Sequence, residues 1–382
     1  MIYHDFGNTG ACVSALGFGC MRLPMIERDG KAMVNDDLAT PLMQEAFNLG
    51  INFFDTHWFY CNFDSQRAVG AALRSIPRDK VYISSKIRLD LVQVPEDFIK
   101  YLEITLEQMG LDYLDFYHFP ALSYGRWTET ILPMKLLDQV EKAKARGLMR
   151  HLSFSFHSDP DKMSEVIDSG AFSTMLGQYN LVDRRNEDVF AYAKSKGLGT
   201  MVMGPLMGGV LTDGGDTFLH KMKSDAATAA EMSLRFAWSL PSVDMVLSGI
   251  SNVSQLRENV EYANRAADIT AEERQALIDR AHELRELNDL YCTNCNYCAG
   301  CPQNIRIGGV FHMYLQHNIW GLTEVVKNRV ASGSFGGGRR SGGGDAASPS
   351  ACTECGVCVE RCPQDIDIPA ELKRVWGVLQ NL

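Results

Sequence analysis

Short apolar segments alternate with longer amphipathic segments from about residue 14 to residue 265. The apolar segments are rich in β-branched and aromatic residues and are bounded by Gly, Asp or Ser, which is typical of β-strands. This pattern predicts eight strands, at residues 14–20, 52–56, 80–86, 113–119, 151–156, 174–180, 199–204 and 243–249. The amphipathic segments predict eight helices, near residues 38–49, 65–75, 96–109, 131–147, 160–169, 186–196, 225–239 and 254–265.

The number and order of these elements favour an α/β fold of the (β/α)8 barrel type, in which eight strands and eight helices alternate. An open, doubly wound sheet would show the same alternation. However, no G-x-G-x-x-G fingerprint follows the first predicted strand, so a dinucleotide-binding sheet of that kind has no support here.

The chain beyond the barrel pattern forms a second region. Thr270 and Glu273 have the spacing of a capping box, in which each side chain bonds the amide of the other residue. This box predicts a helix running to about Leu290. Residues 331–350 are rich in Gly and Ser, cannot bury apolar surface, and predict a flexible loop. We therefore expect a barrel domain over residues 1–268 and a C-terminal region over residues 269–382.

Composition excludes several classes of partner. Lys and Arg number 37 against 47 Asp and Glu, which gives a net charge of −10 and argues against a nucleic-acid partner. No apolar run reaches the ~18–20 residues that span a bilayer. The first residues carry neither the basic nor the apolar part of a secretory signal. These features predict a soluble, cytoplasmic protein.

Cysteine is the residue whose distribution is informative. Of 11 cysteines, eight fall into two tight groups near the C-terminus. In a cytosolic chain such clusters indicate metal or redox chemistry rather than disulfides. The first group is Cys292, Cys295, Cys298 and Cys301, and the second is Cys352, Cys355, Cys358 and Cys362. The scattered Cys12, Cys20 and Cys61 are interpreted as small buried apolar residues.

The second group has the C-x2-C-x2-C-x3-C-P spacing of bacterial two-cluster ferredoxins, in which the fourth cysteine ligates the other cluster. The first group is one residue shorter before its last cysteine. Two [4Fe–4S] clusters are therefore expected in a small ferredoxin-like domain. One would be held by Cys292, Cys295, Cys298 and Cys362, and the other by Cys301, Cys352, Cys355 and Cys358. The alternatives are a single cluster, or zinc, which favours two separate C-x-x-C pairs.

Four polar residues occur where predicted barrel strands end. Asp55 ends the second strand and Tyr60 follows it, Lys86 ends the third strand, and His118 is in the fourth. The carboxyl ends of barrel strands meet at one face, where active sites are built. A lysine ammonium beside a phenol stabilises the phenolate, and an aspartate keeps the lysine charged. Such a phenol can donate a proton to a carbonyl oxygen as hydride arrives.

Nearly the whole chain resembles the aldo/keto reductase family, in the branch with a C-terminal ferredoxin-like extension. The resemblance rests on the order of several short motifs: Leu16-Gly17-Phe18-Gly19, Asp55-Thr56 with Tyr60, Leu111-Asp112-Tyr113-Leu114-Asp115, Ser153-Phe154-Ser155-Phe156-His157, Gln178-Tyr179-Asn180, Pro205-Leu206 with Gly208-Gly209, Ser248-Gly249-Ile250-Ser251-Asn252, and Glu258-Asn259.

The resemblance implies a reductase that uses NADP or NAD, with Asp55, Tyr60 and Lys86 as three members of a catalytic tetrad. An ungapped alignment places Pro120 where the family has its histidine. His118, two residues earlier on the same strand face, is the catalytic candidate, and His57 is the competing one. The implied nucleotide contacts are Ser155, Gln178, Gly249, Asn252 and Asn259. Gln255 stands where many relatives have an arginine for the 2′-phosphate, and the nearby Arg257 falls on another helix face, so NAD is allowed as readily as NADP.

Three functions stay open at this stage. The first is an oxidoreductase that transfers hydride to or from a small carbonyl or alcohol substrate. The second is a redox enzyme that receives electrons through its clusters from a ferredoxin or a flavoprotein. Clusters pass single electrons whereas nicotinamide exchanges hydride, so this function needs a converter such as flavin. The third is a catalytically altered barrel with structural clusters, which Pro120 favours and the intact Asp55, Tyr60 and Lys86 oppose.

Overall fold

The computed structural model describes residues 1–157, 160, 162–213, 215–266, 268–285, 290, 292–293, 295, 297–335 and 346–382. The chain forms two compact units. The first contains Met1–Tyr179, Asp183–Pro205 and Leu234–Ile269, and the second contains Asn180–Val182, Leu206–Ser233 and Thr270–Leu382. No helix of the described residues is long and apolar enough to cross a membrane.

The first unit contains a closed barrel of parallel strands. Its eight strands are β1 (Leu16–Gly19), β2 (Phe53–Asp55), β3 (Tyr82–Lys86), β4 (Leu114–Phe119), β5 (Met149–Phe156), β6 (Thr174–Gln178), β7 (Gly199–Met203) and β8 (Met245–Gly249). Each strand pairs with the next one along the chain, and β8 pairs with β1. Every predicted strand is present, and the predicted barrel is confirmed. The short β-branched and aromatic segments form strands because both of their faces are buried.

The predicted helices are also found, with ends that differ by a few residues. They are α1 (Asp36–Asn48), α2 (Ser65–Leu73), α3 (Asp97–Met109), α4 (Leu136–Ala145), α5 (Met163–Asp168), α6 (Glu187–Ser195), α7 (Ala229–Trp238) and α8 (Val253–Asn264). Helix α3 ends at Gly110, whose φ of 65° closes the helix in the left-handed conformation that glycine adopts without strain.

Two hairpins that the sequence pattern did not predict accompany the barrel. The first pairs Tyr3–Asp5 with Cys12–Ser14, and the second pairs Met25–Arg28 with Lys31–Val34. Phe6 follows the first strand of the first hairpin and packs edge-on against Phe53 and Phe116 of the barrel interior, with ring centroids 5.9 and 5.3 Å away. Because Phe53 opens its strand, this contact fills the amino-terminal end of the barrel with apolar side chains.

The second unit has its own apolar core. Its helices include α9 (Ala271–Arg285), α10 (Ile307–Asn318), α11 (Thr323–Ala331) and α12 (Ile368–Leu379). The core contains Val310, Phe311, Leu372 and Val375, and six of the clustered cysteines pack against it. Within the same unit, Phe218 packs against Trp320 with ring centroids 4.3 Å apart.

The predicted capping box is confirmed. The Thr270 amide donates to Glu273 Oε2 over 2.7 Å, and the Glu273 amide donates to Thr270 Oγ1 over 3.1 Å. Helix α9 ends at Arg285, and residues 286–289 of the predicted helix lie outside the described residues. The same holds for 336–345, the middle of the predicted flexible loop. On its flanks, α11 ends at Ala331 and a short 3-10 helix covers Pro349–Ala351.

Candidate functional site

A buried ion pair lies at the carboxyl end of the barrel. Strand β2 ends at Asp55 and the neighbouring β3 ends at Lys86, so the two side chains meet. Lys86 Nζ donates to both carboxylate oxygens of Asp55, over 2.6 and 2.7 Å, and to the carbonyl of Thr56 over 3.1 Å. Both side chains are buried. Full pairing is what makes burial of the two charges tolerable, since an unpaired buried charge costs several kcal/mol, on the order of 3–5.

Ser84 extends this ion pair towards a histidine. Its hydroxyl lies 2.7 Å from Asp55 Oδ1 and 2.9 Å from His118 Nε2. A carboxylate only accepts hydrogen bonds, so the single hydroxyl proton of Ser84 goes to Asp55. The hydroxyl oxygen then accepts from His118, which fixes a proton on Nε2. His118 is fully buried, opposite Lys86 in the register of β3 and β4.

Tyr60 lies beside the ion pair, in the loop between β2 and α2. The ring centroid of Tyr60 is 5.3 Å from Lys86 Nζ. Its ring also meets the imidazole of His57 edge-on, with centroids 5.4 Å apart. The structure thus brings Asp55, Lys86 and Tyr60 together.

The loop after Tyr60 adopts a strained conformation. Cys61, Asn62 and Phe63 have φ values of 51°, 57° and 68°, a left-handed conformation that is uncommon outside glycine. Two hydrogen bonds to the same strand of a hairpin hold it. Asn62 Nδ2 donates to the carbonyl of Ala32 over 2.9 Å, and Asp64 Oδ2 accepts from the amide of Val34 over 2.9 Å. The hairpin that ends at Val34 therefore fixes the loop that carries Tyr60.

The two histidines of the site are held neutral by their surroundings. Burial lowers the pKa of His118 well below its ordinary value, and the charge of Lys86 lowers it further. Burial also lowers the pKa of His57 well below its ordinary value, with smaller contributions from Lys86, Arg88 and His118. A neutral imidazole carries one N–H donor and one acceptor nitrogen, so the tautomer of each ring decides what it can bind.

Two of the predicted nucleotide contacts lie on neighbouring strands of the barrel. Ser155 is near the end of β5, and its hydroxyl accepts from the amide of Ala121 over 3.1 Å. Gln178 ends β6 and is buried. Its backbone carbonyl accepts from Asn186 Nδ2 over 2.8 Å. Its side-chain amide lies against Gly204, where a Cβ would come within 2.2 Å of Gln178 Nε2.

The other three predicted nucleotide contacts lie around the start of α8. Gly249 ends β8 and is exposed, with the stem of Arg22 against its backbone. Asn252 caps the helix, because its side chain accepts from the amide of Gln255 over 2.9 Å. Asn259 is buried and donates to Ser248 Oγ over 3.1 Å, so it connects the helix to the last strand.

The two side chains considered for the 2′-phosphate already have partners. Gln255 Oε1 accepts from the amide and the hydroxyl of Ser251, over 3.0 and 2.9 Å. Arg257 donates to Glu45 Oε1 over 3.2 Å. Neither residue places a guanidinium at the start of α8.

The first set of cysteines in the second unit surrounds a cavity. Its lining includes Cys292, Cys295, Cys298 and Cys362, together with apolar residues such as Phe311. Burial, and after it the neighbouring thiols of Cys295, Cys362 and Cys358, raises the pKa of Cys298 to about 12. Four thiols around an apolar cavity fit an iron–sulfur cluster, because binding to iron removes the protons that burial and crowding would otherwise retain.

The remaining cysteines form a second set. Burial raises the pKa of Cys358, and the thiols of Cys301, Cys352 and Cys355 raise it further. In this set Cys355 is exposed and the other three are partly buried. No three His, Cys, Asp or Glu side chains of the described residues form a group that could hold a single metal ion.

The three scattered cysteines differ in their exposure. Cys20 is buried and Cys61 is partly buried. Cys12 is exposed, so the interpretation of Cys12 as a buried apolar residue is wrong. It lies on the first hairpin, which the sequence pattern did not predict, and that hairpin leaves its side chain at the surface.

Sequence reasoning assigned no role to Ser84, although a signal was present. Ser84 and Lys86 are two residues apart on one strand, so their side chains point to the same face of the sheet. Since Lys86 was predicted to face the site, Ser84 had to face it too. The contact of Arg22 with Gly249 had no comparable signal, because it joins distant parts of the chain.

Comparison with known proteins now decides the family. The profile of the aldo/keto reductase family matches residues 15–279. The chain belongs to the aldo/keto reductase family. A second profile, that of a 4Fe-4S dicluster domain, matches residues 291–366 of this aldo/keto reductase.

Individual relatives agree with this assignment. The reductase is similar to an L-galactose dehydrogenase of Arabidopsis thaliana, at 30% identity over 66% of this chain and 85% of that protein. It is also similar to an NADH-specific methylglyoxal reductase of Escherichia coli, at 24% identity over 68% of this chain and 92% of that protein. In fold it resembles an aldo-keto reductase from Bacillus halodurans in its holo form, with a TM-score of 0.62, 23% identity, and coverage of 73% and 96% of the two chains. The protein is an oxidoreductase of this family with a 4Fe-4S domain.

Proposed function

We propose that this aldo/keto reductase transfers hydride between NAD(P)H and a small carbonyl or alcohol substrate at the carboxyl end of its barrel. The observation that carries the proposal is the buried Asp55–Lys86 ion pair beside the ring of Tyr60. A cation held next to a phenol serves proton transfer to an oxygen and has no evident structural purpose at this face of the fold.

The chain's own residues would carry the proton step. The bound nicotinamide supplies the hydride. The phenol of Tyr60 gives its proton to the substrate oxygen, since the ammonium of Lys86 at 5.3 Å from the ring stabilises the phenolate that remains. Asp55 holds the ammonium of Lys86 in place through two hydrogen bonds. In the oxidative direction Tyr60 takes the proton back.

The start of α8 supports nucleotide binding. Gly249 is exposed there beside the stem of Arg22, and the first amides of a helix favour phosphate groups. Ser155 and Gln178 would face the nicotinamide, and Gly249, Asn252 and Asn259 the adenosine. With Gln255 bound to Ser251 and Arg257 to Glu45, no described guanidinium is set for the 2′-phosphate at these positions. The proposal is therefore NADH or NADPH without strong preference.

The second unit would hold two [4Fe–4S] clusters with crossed fourth ligands. The cavity lined by Cys292, Cys295, Cys298 and Cys362 supports the first of these sets. The mutual effects of Cys301, Cys352, Cys355 and Cys358 support the second. A [4Fe–4S] cluster carries one electron at a time. The exposure of Cys355 favours access by a one-electron partner such as a ferredoxin or a flavoprotein.

Turnover of matched variants tests the proposal. Anaerobically purified protein would be assayed with methylglyoxal and NADH or NADPH, and with L-galactose and NAD or NADP, the substrates being taken from the names of its relatives. We expect Tyr60→Phe to abolish turnover while the Kd for nucleotide stays within about 2-fold. Tyr192→Phe, which removes a hydroxyl that binds Asp168 on the helical exterior, is the control and should keep its activity. Wild-type turnover by Tyr60→Phe would overturn the proposed mechanism, in which Tyr60 donates the proton.

A further inference from the structure

The side chain that carries this inference is His57, two residues beyond the end of β2. We propose that His57 is a catalytic residue whose Nε2–H donates a hydrogen bond to the substrate oxygen while Tyr60 supplies the proton. This inference rests on the proposed reductase function. It concerns a hydrogen-bond donor that takes no part in the Asp55–Lys86 ion pair or in the hydrogen bonds that Ser84 makes to Asp55 and His118.

The tautomer of His57 follows from a backbone contact. The amide of Phe59 donates to His57 Nδ1 over 3.4 Å, so Nδ1 has its lone pair free to accept. Since burial keeps the ring neutral, its one proton is on Nε2. His57 therefore presents a donor at Nε2 and has no acceptor left to offer.

That donor has no partner within the described part of the chain. Nε2 of His57 is buried and makes no hydrogen bond to described residues. An unsatisfied buried donor is unfavourable, and a folded protein retains one where a ligand or a water satisfies it. The imidazole touches Tyr60 on one side, at 5.4 Å between centroids, and Phe59 on another, at 5.0 Å. The ring that carries this donor is therefore in contact with the ring whose hydroxyl would give its proton to the substrate oxygen.

The Nε2 donor of His118, by contrast, already has a partner. Its Nε2 is committed to Ser84, which in turn binds Asp55, and the ring is fully buried at the level of Lys86. His118 thus acts through Ser84 on the carboxylate and is a positioning residue. His57 is in the same loop as Tyr60 and its ring contacts that of Tyr60, so of the two histidines it is the one with an uncommitted donor beside the phenol.

The reaction balances without a change in His57. Hydride from the nicotinamide forms the C–H bond at the carbonyl carbon, and the electron pair of the C=O bond moves to oxygen. Oxygen receives the proton of Tyr60, which becomes phenolate and is restored from solvent. The Nε2–H of His57 stabilises the negative charge that develops on oxygen and keeps its own proton throughout. Such preorganised donors act by binding the transition state more tightly than the ground state.

The test compares two substitutions of His57. His57→Leu removes the donor, whereas His57→Gln offers a side-chain amide donor. With methylglyoxal and NADH, we expect His57→Leu to lower kcat about 100-fold, in the range seen for loss of one oxyanion donor, and to leave the Kd for NADH unchanged. His57→Gln should recover about 10-fold of that loss. The melting temperature of His57→Leu should stay close to that of the wild type, because the loss of the acceptor for the Phe59 amide is offset by removal of an unsatisfied buried N–H.

Parallel assays of Tyr60→Phe separate this inference from the proposed function. If Tyr60→Phe is inactive and His57→Leu turns over like the wild type, His57 is not the donor while the reductase function stands. If Tyr60→Phe keeps full activity, Tyr60 is not the proton donor and the proposed reductase mechanism is wrong. A large fall in the melting temperature of His57→Leu, without recovery of kcat by His57→Gln, would show that His57 is structural and overturn the inference.

Discussion

Lys86 and His118 lie opposite each other on neighbouring parallel strands and reach the same carboxylate by different routes. Lys86 donates directly to both oxygens of Asp55, whereas His118 reaches Oδ1 only through the hydroxyl of Ser84. The ammonium and the imidazole thus fix the orientation of one buried carboxylate from two sides. Ser84 is the only link in this set that carries no charge and no ring, which makes it the cleanest one to remove.

Ser84→Ala should weaken both stability and turnover. The substitution leaves His118 Nε2–H and Asp55 Oδ1 each one hydrogen bond short in a buried site, and we expect a loss of about 1–3 kcal/mol in the free energy of unfolding. The value of kcat should fall because Asp55 loses one of the bonds that orient it. Chemical denaturation and steady-state kinetics measure the two effects. Ser84→Thr, which keeps a hydroxyl, should retain most of the stability. If Ser84→Ala kept the wild-type free energy of unfolding and kcat, the hydrogen bonds of Ser84 would not be what orients Asp55.

The barrel could be predicted from the sequence because the number and order of the alternating segments favour it, while an open sheet lacks its G-x-G-x-x-G fingerprint. Segments such as 113–119 are mostly apolar and too short for helices, which identifies them as strands. The hairpin Met25–Val34 escaped prediction because it is short and its apolar residues stand side by side at its two ends, so that it shows little apolar periodicity. Its position still bears on the site, since it holds the loop that follows Tyr60.

The candidate site shows a similar limit. Strand ends placed Asp55 and Lys86 at one face, and the structure brings them together. The roles of the histidines depend on which atoms they contact, and residue spacing does not carry that information. His118 shares a strand face with the aligned position of Pro120, yet its burial and its bond to Ser84 are tertiary features.

His57 should make the protein less stable in mild acid. Its pKa is lowered on folding, so the unfolded chain binds more protons than the folded one below the ordinary histidine pKa of about 6.5. The free energy of unfolding is therefore at its full value above that pH. As the pH falls below it, the free energy of unfolding decreases by up to about 1.4 kcal/mol per pH unit. The difference in free energy of unfolding between wild type and His57→Leu, measured from pH 7.5 to 5.5, should show this slope.

A matched variant controls for the acid sensitivity of the rest of the molecule. His220→Asn removes an exposed imidazole and serves as this control. Both comparisons contain the same cysteine groups, so effects of acid on those groups cancel in each difference. A flat profile for His57→Leu would mean that the imidazole of the folded protein is as easily protonated as that of the unfolded chain.

The crossed ligand sets make opposite predictions for two double variants. If Cys362 binds with Cys292, Cys295 and Cys298, then Cys295→Ala combined with Cys362→Ala damages one cluster and leaves about four irons bound. Cys355→Ala combined with Cys362→Ala then damages both clusters. Uncrossed sets would reverse the two results. Iron and acid-labile sulfide, measured on anaerobic preparations, distinguish them, and zinc without sulfide in the wild type would exclude both assignments.

Gln255→Arg should create a preference for NADPH. The wild-type side chain accepts from the amide and the hydroxyl of Ser251 and offers no charge, and Arg257 is paired with Glu45. A guanidinium at the start of α8 can bind a phosphate through two hydrogen bonds, so we expect the Kd ratio to shift at least about 10-fold towards NADPH, or about 1.4 kcal/mol. Gln255→Met loses the same bonds to Ser251 without adding charge, and it should leave the ratio unchanged. Isothermal titration with each nucleotide gives both ratios.

A wild-type preference for NADPH above about 100-fold, or 2.7 kcal/mol, would show that another basic residue already binds the 2′-phosphate. Arg22, whose stem lies against Gly249, would then be the first residue to replace.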